Sequence, residues 1–191
     1  MTDRARALRA EGRDILSFSV GEPDFEPPEH VREAAAKAIM DGRASRYTAA
    51  RGIPELRAAI CEDSARRRGG VKHAPADVVV SAGAKHGLFN LALALFEPGD
   101  EVIVPSPHWV SYPDQARLAG AVPVHVATTA ETGYRMTPDA LAAALSPRTK
   151  AIVLCTPSNP TGSAYSAREL RALADVVADH RCWLIVDEIY A

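Results

Sequence analysis

The chain has 191 residues, enough to bury the core of one domain, and its 47% hydrophobic and 24% charged content is globular rather than disordered. A formal net charge of −2 argues for neither nucleic acid nor an anionic membrane as partner. No apolar run reaches membrane-spanning length and Met1–Arg6 has no signal-peptide core, so a cytoplasmic protein is expected.

Thr2–Arg13 is charged and alanine-rich, which predicts a helical segment. Ile15–Val20 alternates apolar and small polar residues, as a short strand or extended arm does. In Gly21-Glu22-Pro23-Asp24-Phe25, Gly21 permits close backbone approach to a ligand; an ordinary turn fits these residues equally well. Pro28–Asp41 reads as a helix, with Pro28 near N1, Val31, Ala35, Ala38 and Ile39 on its apolar face and Gly42 as its stop. Tyr47 follows in a loop, where a partly buried aromatic is the simpler reading. Pro54–Arg68 is a second helix closed by Gly69-Gly70. Arg66, Arg67 and Arg68 suit the negative end of its dipole and read as a solvated terminus. A composition change near Arg43–Tyr47 sets residues 1–46, an arm and helix, apart from residues 47–191.

From Asp77 onward strands alternate with helices, a predominantly parallel, doubly wound α/β pattern. Five strands are expected: Val78–Ser81, Glu101–Val104, Val122–Val126, Ala151–Cys155 and Trp183–Asp187. The helices between them are Lys85–Leu95, Ser111–Leu118, Pro138–Leu145 and Ser166–Asp179. Small residues at Ser81-Ala82-Gly83-Ala84 leave backbone N–H groups at a helix start free to face an anion, a weak signal by itself. Trp109, in the loop Pro105–Tyr112, is either a stacking plate for a flat heteroaromatic ring or a core filler. The three cysteines, Cys61, Cys155 and Cys182, lack metal or redox spacing and read as reduced thiols; the six histidines form no zinc pattern.

The most informative stretch is Thr156-Pro157-Ser158-Asn159-Pro160-Thr161-Gly162. It follows the apolar run Ala151–Cys155 and precedes a helix. A polar loop at the C-terminal end of a parallel strand is where open α/β sheets bind ligands. Two prolines restrict the backbone around Asn159, whose amide can donate and accept at once. The next strand ends in Asp187-Glu188-Ile189-Tyr190, so amide and acid should converge on one crevice.

Asn159-Pro160-Thr161-Gly162 followed by Asp187-Glu188-Ile189-Tyr190 resembles the class I/II aminotransferases, the fold-type-I pyridoxal-phosphate enzymes, and the resemblance runs from about Ile15 to Ala191. It implies the following roles. Asp187 partners the pyridine nitrogen and keeps it protonated, while Asn159 and Tyr190 bond the ring's phenolic oxygen. Trp109 lies against the ring, and Gly83, Ala84 and Lys85 belong to the phosphate cup. Gly21, Trp109 and Asn159 lie beside the substrate, and Tyr47 reaches the cofactor phosphate of a partner subunit in a homodimer. Amino acids and 2-oxo acids are the implied substrates. Lys85 hints at a dicarboxylic one, because some family members with acidic substrates use a lysine in this turn.

The family's Schiff-base lysine and its carboxylate-gripping arginine lie further along than Ala191, so no catalytic residue is expected within these positions. Of the lysines, Lys37, Lys72 and Lys150 lie away from the expected crevice and Lys85 stands on the wrong element. The family's large-domain sheet has seven strands. The two after Asp187 are expected between the strand matching Val78–Ser81 and the one matching Ala151–Cys155, so their absence should leave a slot. Three readings stay open: an aminotransferase given as a partial chain, a non-catalytic pyridoxal-phosphate-binding remnant or interaction module, and a β-lyase or synthase on the same scaffold.

Overall fold

The computed structural model describes residues 2–16, 21 and 23–191, which fall into two compact units, Met1–Thr48 and Ala49–Ala191. The first unit holds helix α1 (Thr2–Ala10), helix α2 (Glu29–Met40) and a 3-10 turn, Arg43–Ser45. Pro28 stands one residue outside α2, as its N-cap in an extended conformation with φ −51° and ψ 143°, rather than at N1. Gly42 takes the left-handed φ of 76° that ends the helix. The apolar face expected on α2 is not covered within this unit, since no residue of α2 is buried. Tyr47 is fully exposed, which corrects the expectation of a partly buried aromatic: no neighbour in its own unit packs over it. The strand expected at Ile15–Val20 lies outside the described residues except for Ile15 and Leu16, which have no regular structure.

The second unit opens with helix α3 (Pro54–Arg67), its proline at N1, and continues with helix α4 (Ala84–Leu95). Strand β1 (Glu101–Ser106), helix α5 (Ser111–Leu118), strand β2 (Val122–Ala127) and helix α6 (Pro138–Ala144) follow. Strand β3 (Thr149–Cys155), helix α7 (Ala167–Val177) and strand β4 (Trp183–Asp187) complete it. The strands form one all-parallel sheet in the order β2-β1-β3-β4. Successive strand residues face opposite sides. Val102, Val104, Ala151 and Val153 pack with Ala92 of α4, Phe96 just after it, and Tyr112 and Ala116 of α5. Ile103, Ile152 and Leu154 pack with Leu141 of α6 and Leu173 of α7. Helices therefore cover both faces of the two central strands, as a doubly wound sheet requires.

The first expected strand is absent. Val78 is extended, with φ −105° and ψ 129°, but Val78–Ser81 has no regular structure and its one ladder-like bond is from Val80 N–H to the Arg51 carbonyl, 2.9 Å. An extended run becomes a strand only when a neighbour pairs with it, and β4 ends the sheet without reaching it. The open position also differs from expectation. Trp183–Asp187 pairs in register with Ala151–Cys155, so the free edge belongs to β4 rather than to β3. The basic run at the end of α3 is exposed, as expected of a solvated terminus; Arg66 and Arg67 pair with Asp63, and Arg68 pairs with Glu188.

Candidate functional site

The C-terminal ends of β3 and β4 and the start of α4 frame one cavity of about 240 Å³. Gly83, Ala84, Lys85, Trp109, Asn159, Asp187 and Tyr190 all line it, together with Tyr112, Cys155 and Ile189. Seven residues singled out in the sequence thus meet at one place. Gly21 and Tyr47 belong to the first unit, Met1–Thr48.

The loop after β3 is held by its own bonds. Ser158 N–H donates to the Ser163 carbonyl and Gly162 N–H to the Ser158 carbonyl, each at 2.8 Å, with Gly162 at φ 71°. Thr156 N–H extends the ladder to the Asp187 carbonyl at 3.0 Å, so the loop is fixed to the end of β4. Asn159 Nδ2 then comes within 3.4 Å of the Tyr190 hydroxyl. The Ser166–Glu169 capping box starts α7 immediately after this loop.

Asp187, the last residue of β4, is only 8% exposed. A buried carboxylate needs donors, and it has two: Ile189 N–H to Oδ1 at 3.1 Å and Tyr112 Oη–H to Oδ2 at 2.8 Å. Burial first, then the Cys155 thiol and the Asp187 carboxylate, push the Tyr112 phenol far above its usual range.

On the opposite wall, α4 begins at Ala84 behind Gly83, whose φ is 84°. Ala82 N–H is engaged with His86 Nδ1 at 3.1 Å and Gly83 N–H with the Ser81 carbonyl at 2.8 Å. His86 Nε2 lies 3.1 Å from the Asn90 side-chain amide. The expected free donors are therefore those of the first helical turn, beginning at Ala84 and Lys85, rather than those of the whole loop. Gln115 Nε2 donates to the Lys85 carbonyl at 3.0 Å and ties this turn to α5.

Trp109 is a core filler that also borders the cavity. It packs on the core, as Leu88 does, and meets Tyr112 edge-on at 5.4 Å. Lys85 Nζ lies 4.9 Å from the Trp109 ring centroid, within cation–π range.

The site carries negative charge at Asp187 and positive charge with helix N–H groups at Lys85 and Ala84. Between them stand an indole and a tyrosine. This polarity suits a flat ligand with a cationic ring atom at one end and an anionic group at the other. Among the described residues no group of three or more side chains is arranged to hold a metal ion, and no helix is long and apolar enough to cross a membrane. Sequence reading passed over Tyr112, Cys155 and Ile189 as site residues. The available signals were the Trp109-x-x-Tyr112 spacing at the start of a helix and the place of Cys155 as the last residue of its strand.

Residues 13–191 match the profile of the family described as aminotransferase class I and II. The aspartate/prephenate aminotransferase of Cereibacter sphaeroides is 49% identical over 191 residues, which are 100% of this chain and 47% of that protein. The aspartate aminotransferase of Geobacillus stearothermophilus is 45% identical over 190 residues, 100% of this chain and 48% of its own length. The solved structure of the aspartate aminotransferase from Thermus thermophilus with maleate superposes with a TM-score of 0.94 at 46% identity, covering 99% of this chain and 49% of that one. The chain spans about half the length of the curated relatives it matches.

Proposed function

The chain belongs to the class I and II aminotransferase family, and on that premise we propose that it supplies the cofactor cavity of a pyridoxal-phosphate-dependent aminotransferase. The reaction is transfer of an amino group from an L-amino acid to a 2-oxo acid. The observation that carries this reading is the convergence of Asp187, Asn159, Tyr190, Trp109 and the α4 N-terminus on one cavity. When bound, pyridoxal phosphate supplies an electron sink for the substrate's Cα.

The chain's own residues bind and orient. Asp187 holds a proton on the ring nitrogen, because a carboxylate beside it favours the charged form. Asn159 and Tyr190, already within 3.4 Å of each other, bond the phenolic oxygen. Trp109 stacks on the ring and excludes water from that face. Behind the turn at Gly83, the backbone N–H groups of Ala84 and Lys85 receive the phosphate at the N-terminus of α4. Gly21, Trp109 and Asn159 face the substrate, and Tyr47 serves the phosphate of a partner subunit in a homodimer. Residues 1–46 act as arm and helix, and residues 47–191 as the cofactor-binding part. We place the working protein in the cytoplasm.

The relatives named for aspartate and prephenate, together with the Lys85 ammonium beside Trp109, favour a dicarboxylic amino donor. Of the four lysines, only Lys85 lines the cavity, and it stands in the first turn of α4. None of these four is assigned as the lysine that bonds the cofactor. Reading the gene beyond Ala191 and assaying its product in half-reactions with aspartate, glutamate and aromatic amino acids tests this. Transfer from aspartate with incoming lysine and arginine supports it; release of pyruvate or ammonia instead of amino transfer would favour a β-lyase.

A further inference from the structure

Tyr112 is 5% exposed, lies in the first turn of α5 and packs among Val102, Ala116 and Val153. A phenylalanine would fill the same space, so packing accounts for the ring and leaves the hydroxyl to be explained. A buried hydroxyl without a partner is costly, and this one is spent on Asp187 Oδ2, across 75 positions of sequence. Ile189 N–H holds the other oxygen. Two donors on two oxygens fix the carboxylate plane, and each oxygen keeps a lone pair for a further donor. The phenol is kept protonated by burial, by Cys155 and by Asp187 itself, so it remains a donor. Its ring also meets Trp109 edge-on, which joins two walls of the cavity through one side chain.

We propose that Tyr112 is a positioning residue. Its hydroxyl aims the Asp187 carboxylate into the cavity and so sets how strongly the site distinguishes a protonated ring nitrogen from a ring without one. This rests on the reading that Asp187 meets that nitrogen. The test compares binding of pyridoxal phosphate with binding of its 1-deaza analogue, in which carbon replaces the ring nitrogen. The full protein and its Tyr112→Phe and Asp187→Asn variants, all in a Trp183→Phe background, are titrated by tryptophan fluorescence. The expected result is that Tyr112→Phe lowers the preference for pyridoxal phosphate about tenfold, as for a hydrogen bond to a charged group, and leaves affinity for the analogue unchanged. If Asp187→Asn removes the preference and Tyr112→Phe does not, the positioning role is overturned and the reading of Asp187 stands. If the parent protein shows no preference, the reading of Asp187 falls and this role with it. A second measurement needs no cofactor. In Tyr112→Phe, amide exchange at Ile189 should quicken, while Ile103 and Ile152 in the sheet keep their rates. An unchanged Ile189 rate would overturn the proposal.

Discussion

Gly52 sits against Val80: a Cβ added to Gly52 would stand 2.5 Å from Val80 Cγ2, and the glycine has φ +96°. The adjacent bond from Val80 N–H to the Arg51 carbonyl ties the Val78–Ser81 segment to the residue before Gly52. That segment leads directly into the turn at Gly83. Gly52→Ala therefore combines backbone strain with a clash against a β-branched side chain. We expect a loss of about 1–3 kcal/mol, read as a lower denaturant midpoint. Gly52→Ala with Val80→Ala should recover only the steric part.

Helix boundaries were legible wherever local chemistry sets them, as at Pro54 and at Ser166-x-x-Glu169. The fold class and the convergence of Asn159, Asp187 and Tyr190 were legible because alternating strands and helices put strand ends on one side. What was missed depends on distant partners. Val78-Val79-Val80 has strand composition, but whether it pairs depends on a neighbouring strand. Tyr112 looked like the end of a loop because its bond partner lies on β4. The open edge was placed beside β3 because strand order, unlike strand identity, leaves no local mark in sequence.

Lys85 and Trp109 form a pair that can be separated by mutation. With Nζ 4.9 Å from the ring centroid, Lys85→Ala should change Trp109 emission in a Trp183→Phe background. In the full protein the same variant should raise KM for acidic amino donors at least about tenfold, as expected for loss of a charge-assisted bond. KM for aromatic donors should hardly move. An equal rise for both classes would remove Lys85 from side-chain recognition.

Glu169 gives a pH dependence whose sign is fixed. The Ser166 hydroxyl first, then Ser166 N–H and Arg135, pull its carboxyl from an ordinary 4.5 to about 2. A depressed folded value means stability present above the unfolded value and lost as pH falls through the folded one. The thermal midpoint of the parent should exceed that of Glu169→Gln at pH 7. The gap should close between pH 4.5 and about 2. A gap that persists unchanged to pH 2 would show that the capping geometry, not the charge, is responsible.

Residues 1–191 expressed alone should not transaminate. Lys85 is the cavity's only lysine, and its Nζ lies against Trp109. Incubation with pyridoxal phosphate, borohydride reduction and peptide mapping should leave Lys37, Lys72, Lys85 and Lys150 without stoichiometric label. Turnover near the enzyme median of about 10 per second, or full labelling of Lys85, would refute this.

The outer edge of β4 bears on how that same chain behaves in solution. Trp183 is 55% exposed, Leu184 40% and Val186 37%, on a parallel strand whose other edge is fully paired with β3. A parallel strand is normally buried on both faces and both edges, and an apolar strand with unpaired N–H and C=O groups is a template for association. Ile103 and Ile152, by contrast, are completely buried between helices. Stability should therefore be graded across the sheet rather than uniform. Purified alone, residues 1–191 should associate as concentration rises. Their amides should exchange slowly in β1 and β3 and fast at Val78–Ser81 and along β4. Trp183→Lys, which puts a charge on the edge, should reduce association without changing protection at Ile103 or Ile152. A concentration-independent monomer that unfolds in one sharp transition, with Val78–Ser81 strongly protected, would mean that the edge of β4 closes on that segment in solution.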